Sequence, residues 1–260
     1  MPELPDVETF RRYVDATSLH QTVERVELDA EYVLEGASGQ TVREALRGHR
    51  FAGTDRHGKY LFVALDEGPW LVLHFGMTGY LRYDKGQDPP PGHTRMLIGF
   101  DNGHRLCGVW RRRLGRIDLA DDVADFVEAQ DLGPDAFALG LEPFEAMLND
   151  RRGGLKSALM DQSFIAGLGN VYGDEILFRA GLLPDRKAKD LDHDEIADLH
   201  RALRHVLRTA IDRQADPEEM PSTWLLGHRR EGAHCPRCGH ALRHDKVAGR
   251  TAWYCPHCQH

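Results

Sequence analysis

The chain has 260 residues, a formal net charge of −8 from 33 Lys and Arg against 41 Asp and Glu, 41% hydrophobic residues and five cysteines. That length allows two domains or one large one, and no apolar run approaches the ~18 residues of a membrane helix. The acids Glu3, Asp6 and Glu8 do not fit a secretory signal, and the net acidity leaves contact with a polyanion to local basic faces.

The chain opens Met1-Pro2-Glu3-Leu4-Pro5. A small second residue favours removal of Met1, which would leave Pro2 with a free secondary amine beside a carboxylate. An α-amine titrates near 7.7–8.0 against about 10.4 for lysine, so roughly a tenth or more is neutral at pH 7. Such an amine can attack an aldehyde-like carbon and form an iminium. Taken alone, a proline near a terminus is more often a simple chain-entry residue. Residues 7–19 read as a helix, with Pro5 leading in and Asp6 as N-cap.

Residues 23–119 turn to short alternating or apolar runs separated by Gly, Asp and Asn, among them 60–65, 70–75 and 96–100. These predict strands joined by hairpins, with Asp101-Asn102-Gly103 the clearest turn, and an antiparallel sandwich. His57-Gly58-Lys59-Tyr60 places one lysine at a strand entry, by itself an ordinary surface charge. Pro89-Pro90-Pro91-Gly92 predicts an exposed loop. Arg105, Arg111, Arg112, Arg113 and Arg116 follow with no acid among them, and then residues 118–150 carry acids and no Lys or Arg. This acidic stretch marks a junction.

After Asp121 the period is helical, over 123–130, 143–150, 155–162, 170–180 and 194–213. Gly167-Leu168-Gly169 enters the fourth of these. Such a turn can aim backbone N–H groups at a phosphate, although a plain packing turn is its commoner use. A second basic group comprises Arg229, Arg230, Arg237, Arg243, Lys246 and Arg250. Cys235-Pro236-Arg237-Cys238 and Cys255-Pro256-His257-Cys258 have the paired spacing of a four-thiolate zinc site. A tetrathiolate leaves no open position, so the expected zinc is structural and the module a zinc-ribbon hairpin, with residues 251–254 as a strand. Thiols clustered in this way suit a reducing cytosol better than a disulfide frame, and Cys107 reads as a small buried hydrophobe.

In this order the pieces resemble the formamidopyrimidine-DNA glycosylase / endonuclease VIII family of base-excision repair enzymes. The resemblance rests on Pro2-Glu3-Leu4-Pro5, Gly58-Lys59-Tyr60-Leu61, His74-Phe75-Gly76-Met77-Thr78-Gly79 and Lys156-Ser157-Ala158-Leu159-Met160-Asp161-Gln162. It continues through Gly167-Leu168-Gly169-Asn170-Val171-Tyr172 and ends in the cysteine module with Gly249-Arg250-Thr251. The resemblance implies an α+β multidomain fold: an N-terminal catalytic antiparallel β-sandwich with flanking helices (1–120), a linker and helix–two-turns–helix domain (121–224), and a C-terminal zinc ribbon (225–260). It implies one structural zinc ion, damaged double-stranded DNA as partner, and a monomer working on the nucleoid in a bacterial cytoplasm.

Roles at matching positions follow from the same resemblance. Pro2 would attack C1′ of the damaged nucleotide, Glu3 would protonate the sugar and open its ring, and Lys59 would contact phosphate and assist elimination. Asn170 and Arg250 would grip phosphates, Arg250 also serving δ-elimination. Met77 would fill the space left by an extruded base, although a core methionine is an equal reading there. His93, Arg112, Arg152 and Lys156 match DNA-contacting positions. Three departures stand out. Trp110-Arg111-Arg112-Arg113-Leu114-Gly115 replaces the family's Asp-Pro-Arg-Arg-Phe-Gly, which makes Leu114 the wedge opposite the lesion. Asp6 replaces a frequent glutamate. Residues 214–233 are short where members specific for 8-oxoguanine carry a longer loop over the flipped base. The expected activity is excision of oxidised bases with β,δ-elimination at the abasic site. A damage-binding protein without turnover is the rival on the same fold, weakened by the presence of Pro2, Glu3 and Lys59. A zinc-ribbon accessory factor would account for the C-terminus alone.

Overall fold

Short apolar runs in the first half of the chain pair into two four-stranded sheets. In the computed structural model, which describes residues 1–29 and 31–260, the order of elements here is α1 (Leu4–Thr17), β1 (Val23–Leu28), α2 (Gly39–Leu46), β2 (Phe51–His57), β3 (Tyr60–Leu65), β4 (Trp70–His74), β5 (Tyr80–Asp84), β6 (Thr94–Phe100), β7 (Arg105–Val109), β8 (Arg116–Ala120) and α3 (Val123–Ala129). The sheets run β1-β6-β7-β5 and β2-β3-β4-β8, and every pairing is antiparallel. Alternate residues of each strand point to one face. Leu61, Val63, Leu71 and Leu73 from one sheet thus meet Met96, Ile98 and Leu106 from the other in a shared core. The opposite face of the second sheet carries Phe62 and Val72, which α3 covers with Phe126, its ring 5.5 Å from that of Phe62.

Two local readings change. Helix α1 starts at Leu4, so Asp6 lies in its first turn rather than at its cap. Pro5 is tolerated there because first-turn N–H groups have no intrahelical partner. Helix α2 occupies a stretch read as strands and turns. Ser38 caps it, its hydroxyl accepting from Thr41 N, and Val42 and Leu46 bury one turn apart.

The second half contains α4 (Leu141–Asn149), α5 (Leu155–Met160), α6 (Asn170–Ala180), α7 (His193–Asp212), β9 (Arg243–Val247) and β10 (Arg250–Tyr254). Helix α7 begins in a capping box between Asp192 and Glu195, and its Leu199, Leu203, Val206 and Leu207 face the core. Between α5 and α6 the chain makes two turns. Phe164 N donates to Asp161 O at 3.1 Å, and the Gln162 side chain spans the second turn, accepting from Gly167 N and donating to Leu168 O. Strands β9 and β10 pair antiparallel through Ala248 and Gly249, both at positive φ (48° and 73°), as a type I′ hairpin requires.

Two units result: Met1–Pro2 with Asp6–Gln130, and Glu3–Pro5 with Asp131–His260. The division falls after Gln130 rather than at the expected 120, because α3 packs on the sandwich. The cysteine hairpin shares a unit with the helices, its Cys235 and Cys255 packing with Phe178 of α6. Among the described residues no helix is long and apolar enough to cross a membrane.

Candidate functional site

In the second unit the chain start docks at the entry to α6. Glu3 is 1% exposed. Its Oε2 accepts from Gly169 N (2.8 Å) and Tyr172 N (3.2 Å), and its Oε1 from Val171 N (2.9 Å). These donors belong to the first turn of a helix and its cap, where no i−4 carbonyl is available. Gly169 caps without a side chain, and a Cβ there would stand 2.5 Å from Glu3 Cδ. Leu4 N donates to Gly167 O at 2.9 Å, and a Cβ on Gly167 (φ 113°) would fall 2.6 Å from Leu4 Cδ1. The Gly-Leu-Gly turn therefore cradles an internal carboxylate, not the phosphate its pattern allowed. Asn170 opens α6 with its Oδ1 buried and without a hydrogen-bond partner. An unmet buried acceptor costs about 1–3 kcal/mol. Pro2, half-buried, directly precedes Glu3.

Lys156 corrects an expectation. Read as a DNA contact, it is instead 0% exposed, with Nζ 2.5 Å from Asp174 Oδ1 and 3.2 Å from Thr251 O. Burial pushes the Lys156 ammonium below its usual range and the Asp174 carboxyl above its own, while their mutual attraction opposes both shifts. Asp174 Oδ2 also accepts from Arg229 Nε (3.1 Å) and Nη2 (2.9 Å) and from Trp253 N (3.1 Å). From sequence Arg229 was only one member of a basic group, and no role was given to Asp174. The available signal was Asp174-Glu175 in the middle of an apolar helix, since buried carboxylates require partners. Arg152 is exposed ahead of α5, and Arg250 is exposed at the first position of β10.

The four sulfurs of Cys235, Cys238, Cys255 and Cys258 lie within 4.8 Å of one another. Cys235 Sγ is 3.9 Å from Cys258 Sγ, and Cys238 Sγ is 3.5 Å from Cys255 Sγ. A tetrahedron with Zn–S bonds of about 2.3 Å has edges of about 3.8 Å, so the donor set fits one structural zinc ion. Cys255 N donates to Gln259 Oε1, and Gln259 Nε2 donates to Leu182 O, anchoring the second cysteine turn to the helical unit.

In the first unit, Lys59 occupies the two-residue turn joining β2 to β3 and is largely buried, unlike an ordinary surface lysine. His74, at the end of β4, accepts from Gly76 N through Nδ1 (3.3 Å). Burial, then Arg116 and Lys59, push its pKa down to about 4, so the ring is neutral as that acceptor role requires. Gly76 (φ 59°) lies against the Leu114 carbonyl so closely that a Cβ would clash with it. This approach puts the Met77 turn beside the Arg-rich turn. Met77 is half-buried and belongs to none of the apolar clusters, whereas Leu114 is 51% exposed. Trp110, the departure from the family pattern, is buried in the sandwich and stacked near Phe75. Arg112 is exposed on the same turn, and His93 is exposed at φ 68° with its carbonyl accepting from Trp110 N.

Three family models match the chain in order. The formamidopyrimidine-DNA glycosylase N-terminal domain matches residues 1–117, the formamidopyrimidine-DNA glycosylase H2TH domain matches 132–221, and a zinc finger found in FPG and IleRS matches 234–260. The chain is 37% identical to formamidopyrimidine-DNA glycosylase of Pelotomaculum thermopropionicum, covering 100% of this chain and 99% of the relative. It is also 37% identical to that of Heliobacterium modesticaldum, with 100% of both covered. Among solved structures, a complex of the LlFpg protein with THF-DNA and an inhibitor superposes at a TM-score of 0.91, with 28% identity and 100% of both chains covered. A complex of Lactococcus lactis Fpg with DNA containing an abasic site superposes at 0.89, with 27% identity and 99% of both. Matched in order along its whole length, this chain belongs to the formamidopyrimidine-DNA glycosylase family.

Proposed function

We propose that the protein is a base-excision-repair DNA glycosylase and AP lyase, which removes oxidised bases from duplex DNA and cuts the strand by β,δ-elimination. The observation that carries this reading is the chain start: Glu3 is fixed on three N–H groups at the entry to α6, so the residue before it has a defined position. Once Met1 is removed, the Pro2 nitrogen attacks C1′, the bond from C1′ to the base breaks, and an iminium forms. The base leaves with the bonding pair and is protonated by water, while Glu3 takes the proton that the Pro2 nitrogen loses on bonding to C1′ and delivers it to the sugar ring oxygen as the ring opens to the iminium. Lys59 contacts phosphate and assists the eliminations that release the two flanking phosphates, after which water hydrolyses the iminium. Asn170 and Arg250 hold the backbone, and His93, Arg112 and Arg152 add contacts. Chemistry on a base requires its removal from the stack, at a cost of a few kcal/mol, and Met77 and Leu114 fill the space it leaves.

Pro2, Glu3 and Lys59 thus supply the chemistry, with Arg250 also serving the δ-elimination, while the helical unit and its cysteine hairpin hold DNA. Zinc, held by the four cysteines, supplies folding energy to a hairpin too small for its own core. The enzyme acts as a monomer on the nucleoid of a bacterial cytoplasm.

The lesion class follows from residues 214–233. Trp224 is buried in the helical core, and Leu226 N donates to Glu175 Oε2, which ties the middle of this short stretch to the helices. Recognition of 8-oxoguanine must read one oxygen and one proton, whereas ring-opened purines, hydantoins and saturated pyrimidines stack poorly and are easier to extrude. Single-turnover excision on matched duplexes should be faster for a formamidopyrimidine, a hydantoin and thymine glycol than for 8-oxoguanine, with little dependence on the opposite base. A clear preference for 8-oxoguanine opposite cytosine would contradict the lesion reading, and no excision or nicking on any duplex would contradict the enzyme.

A further inference from the structure

We infer that Lys156, Asp174 and Arg229 are positioning residues that hold Arg250, at the tip of the zinc hairpin, in register with Asn170 at the start of α6. The inference rests on the reading of Arg250 and Asn170 as phosphate grips.

Each bond in the cluster ties down a different element. Lys156 comes from α5, Asp174 from α6 and Arg229 from the segment before the cysteine module. Between them they capture two backbone groups of β10: Lys156 Nζ donates to Thr251 O, and Trp253 N donates to Asp174 Oδ2. The other edge of β10 is already paired with β9, so side chains of the helical layer take the place of a third strand. Arg229 Nη2 also donates to Asn170 O at 3.3 Å, which brings the opening residue of α6 into the same network. Arg250 immediately precedes Thr251. The zinc site fixes the far end of the strand at Cys255, and the cluster fixes its near end.

Stability alone does not account for such an arrangement. A buried ion pair is often no more stabilising than well-packed apolar side chains of similar volume, and its best-attested use is to specify register. Without the cluster, β10 could slide or tilt against α6 while the zinc remained bound, and the Arg250 guanidinium would leave its phosphate.

The test uses full-length zinc-loaded protein and duplex DNA carrying a tetrahydrofuran abasic analogue, with affinity measured across a salt series. Lys156→Met should retain one zinc and a cooperative unfolding transition. It should weaken binding about tenfold and lower the salt slope by about one phosphate contact. In an Arg250→Ala background the same substitution should change affinity by less than about twofold, because the contact it acts through is already gone. Asp174→Asn, which conserves volume, should behave likewise and serves if Lys156→Met does not fold. Equal losses from Lys156→Met in both backgrounds, or unchanged affinity and slope, would overturn the inference alone. Arg250→Ala without effect would overturn the grip reading and the inference with it. If neither cluster variant folds with zinc, the cluster is a folding determinant and the positioning role fails.

Discussion

Glu175 sits in α6 with its side chain buried, where Oε2 accepts from Leu226 N and Oε1 from Arg179 Nε. Burial outweighs these partners and pushes its pKa up to about 7. Between pH 4.5 and about 7 the folded state therefore holds a proton that the unfolded chain releases, so this group's contribution to stability is greatest below 4.5 and is lost as pH rises through 7. His74 acts in the opposite sense, since a depressed histidine pKa removes stability as pH falls from 6.5 towards 4. Urea unfolding of the wild type and Glu175→Gln across pH 5–8 separates the two, because His74 is common to both. The variant should gain on the wild type as pH rises; parallel pH profiles would show that Glu175 does not titrate in this range. From sequence His74 was only a member of a motif, and Glu175 only one residue of an apolar helix. What distinguishes them is burial, which depends on partners far along the chain.

Helix α6 was legible as an element, with a glycine-rich entry and an apolar body, but the ligand of that entry was not. Glu3 and Gly169 lie at opposite ends of the first two-thirds of the sequence, and nothing in either stretch declares that they meet. The close approach gives a direct prediction. Gly169→Ala would drive a methyl group into the Glu3 carboxylate and, if Glu3 has its proposed catalytic role, a displacement of about 1 Å should slow base excision on the order of a hundredfold. Zinc content and affinity for an abasic analogue should change little. Wild-type excision rates would argue that the Glu3 position has slack. The cysteine hairpin was the most legible element, because metal geometry fixes ligand spacing. Cys255→Ser should release zinc, disorder β9 and β10 and reduce DNA affinity, while the sandwich unit keeps its protection from protease. A zinc-free variant that binds and nicks DNA normally would remove any role for Arg250. The missed helix α2 shows the limit of local pattern: its only apolar anchors are Val42 and Leu46, too few to declare a period.

For the molecule as a whole, the net charge of −8 gave little guidance, since the proposed docking of phosphates rests on the local placement of Arg112, Arg152 and Arg250. Affinity for damaged duplex should fall steeply with salt despite that net charge; a flat salt dependence would exclude the backbone grips. The order of motifs disclosed the fold and the reaction class together. Long-range packing stayed hidden, as the reassignment of Lys156 from surface contact to buried partner of Asp174 shows. The decisive question remains which nitrogen reacts. Borohydride reduction during incubation with DNA containing an abasic site, followed by mass analysis of the adduct, answers it most directly. The account predicts one covalent protein–DNA adduct mapped to Pro2, in protein lacking Met1. An adduct on a lysine such as Lys59, or undiminished trapping by protein that retains Met1, would contradict it.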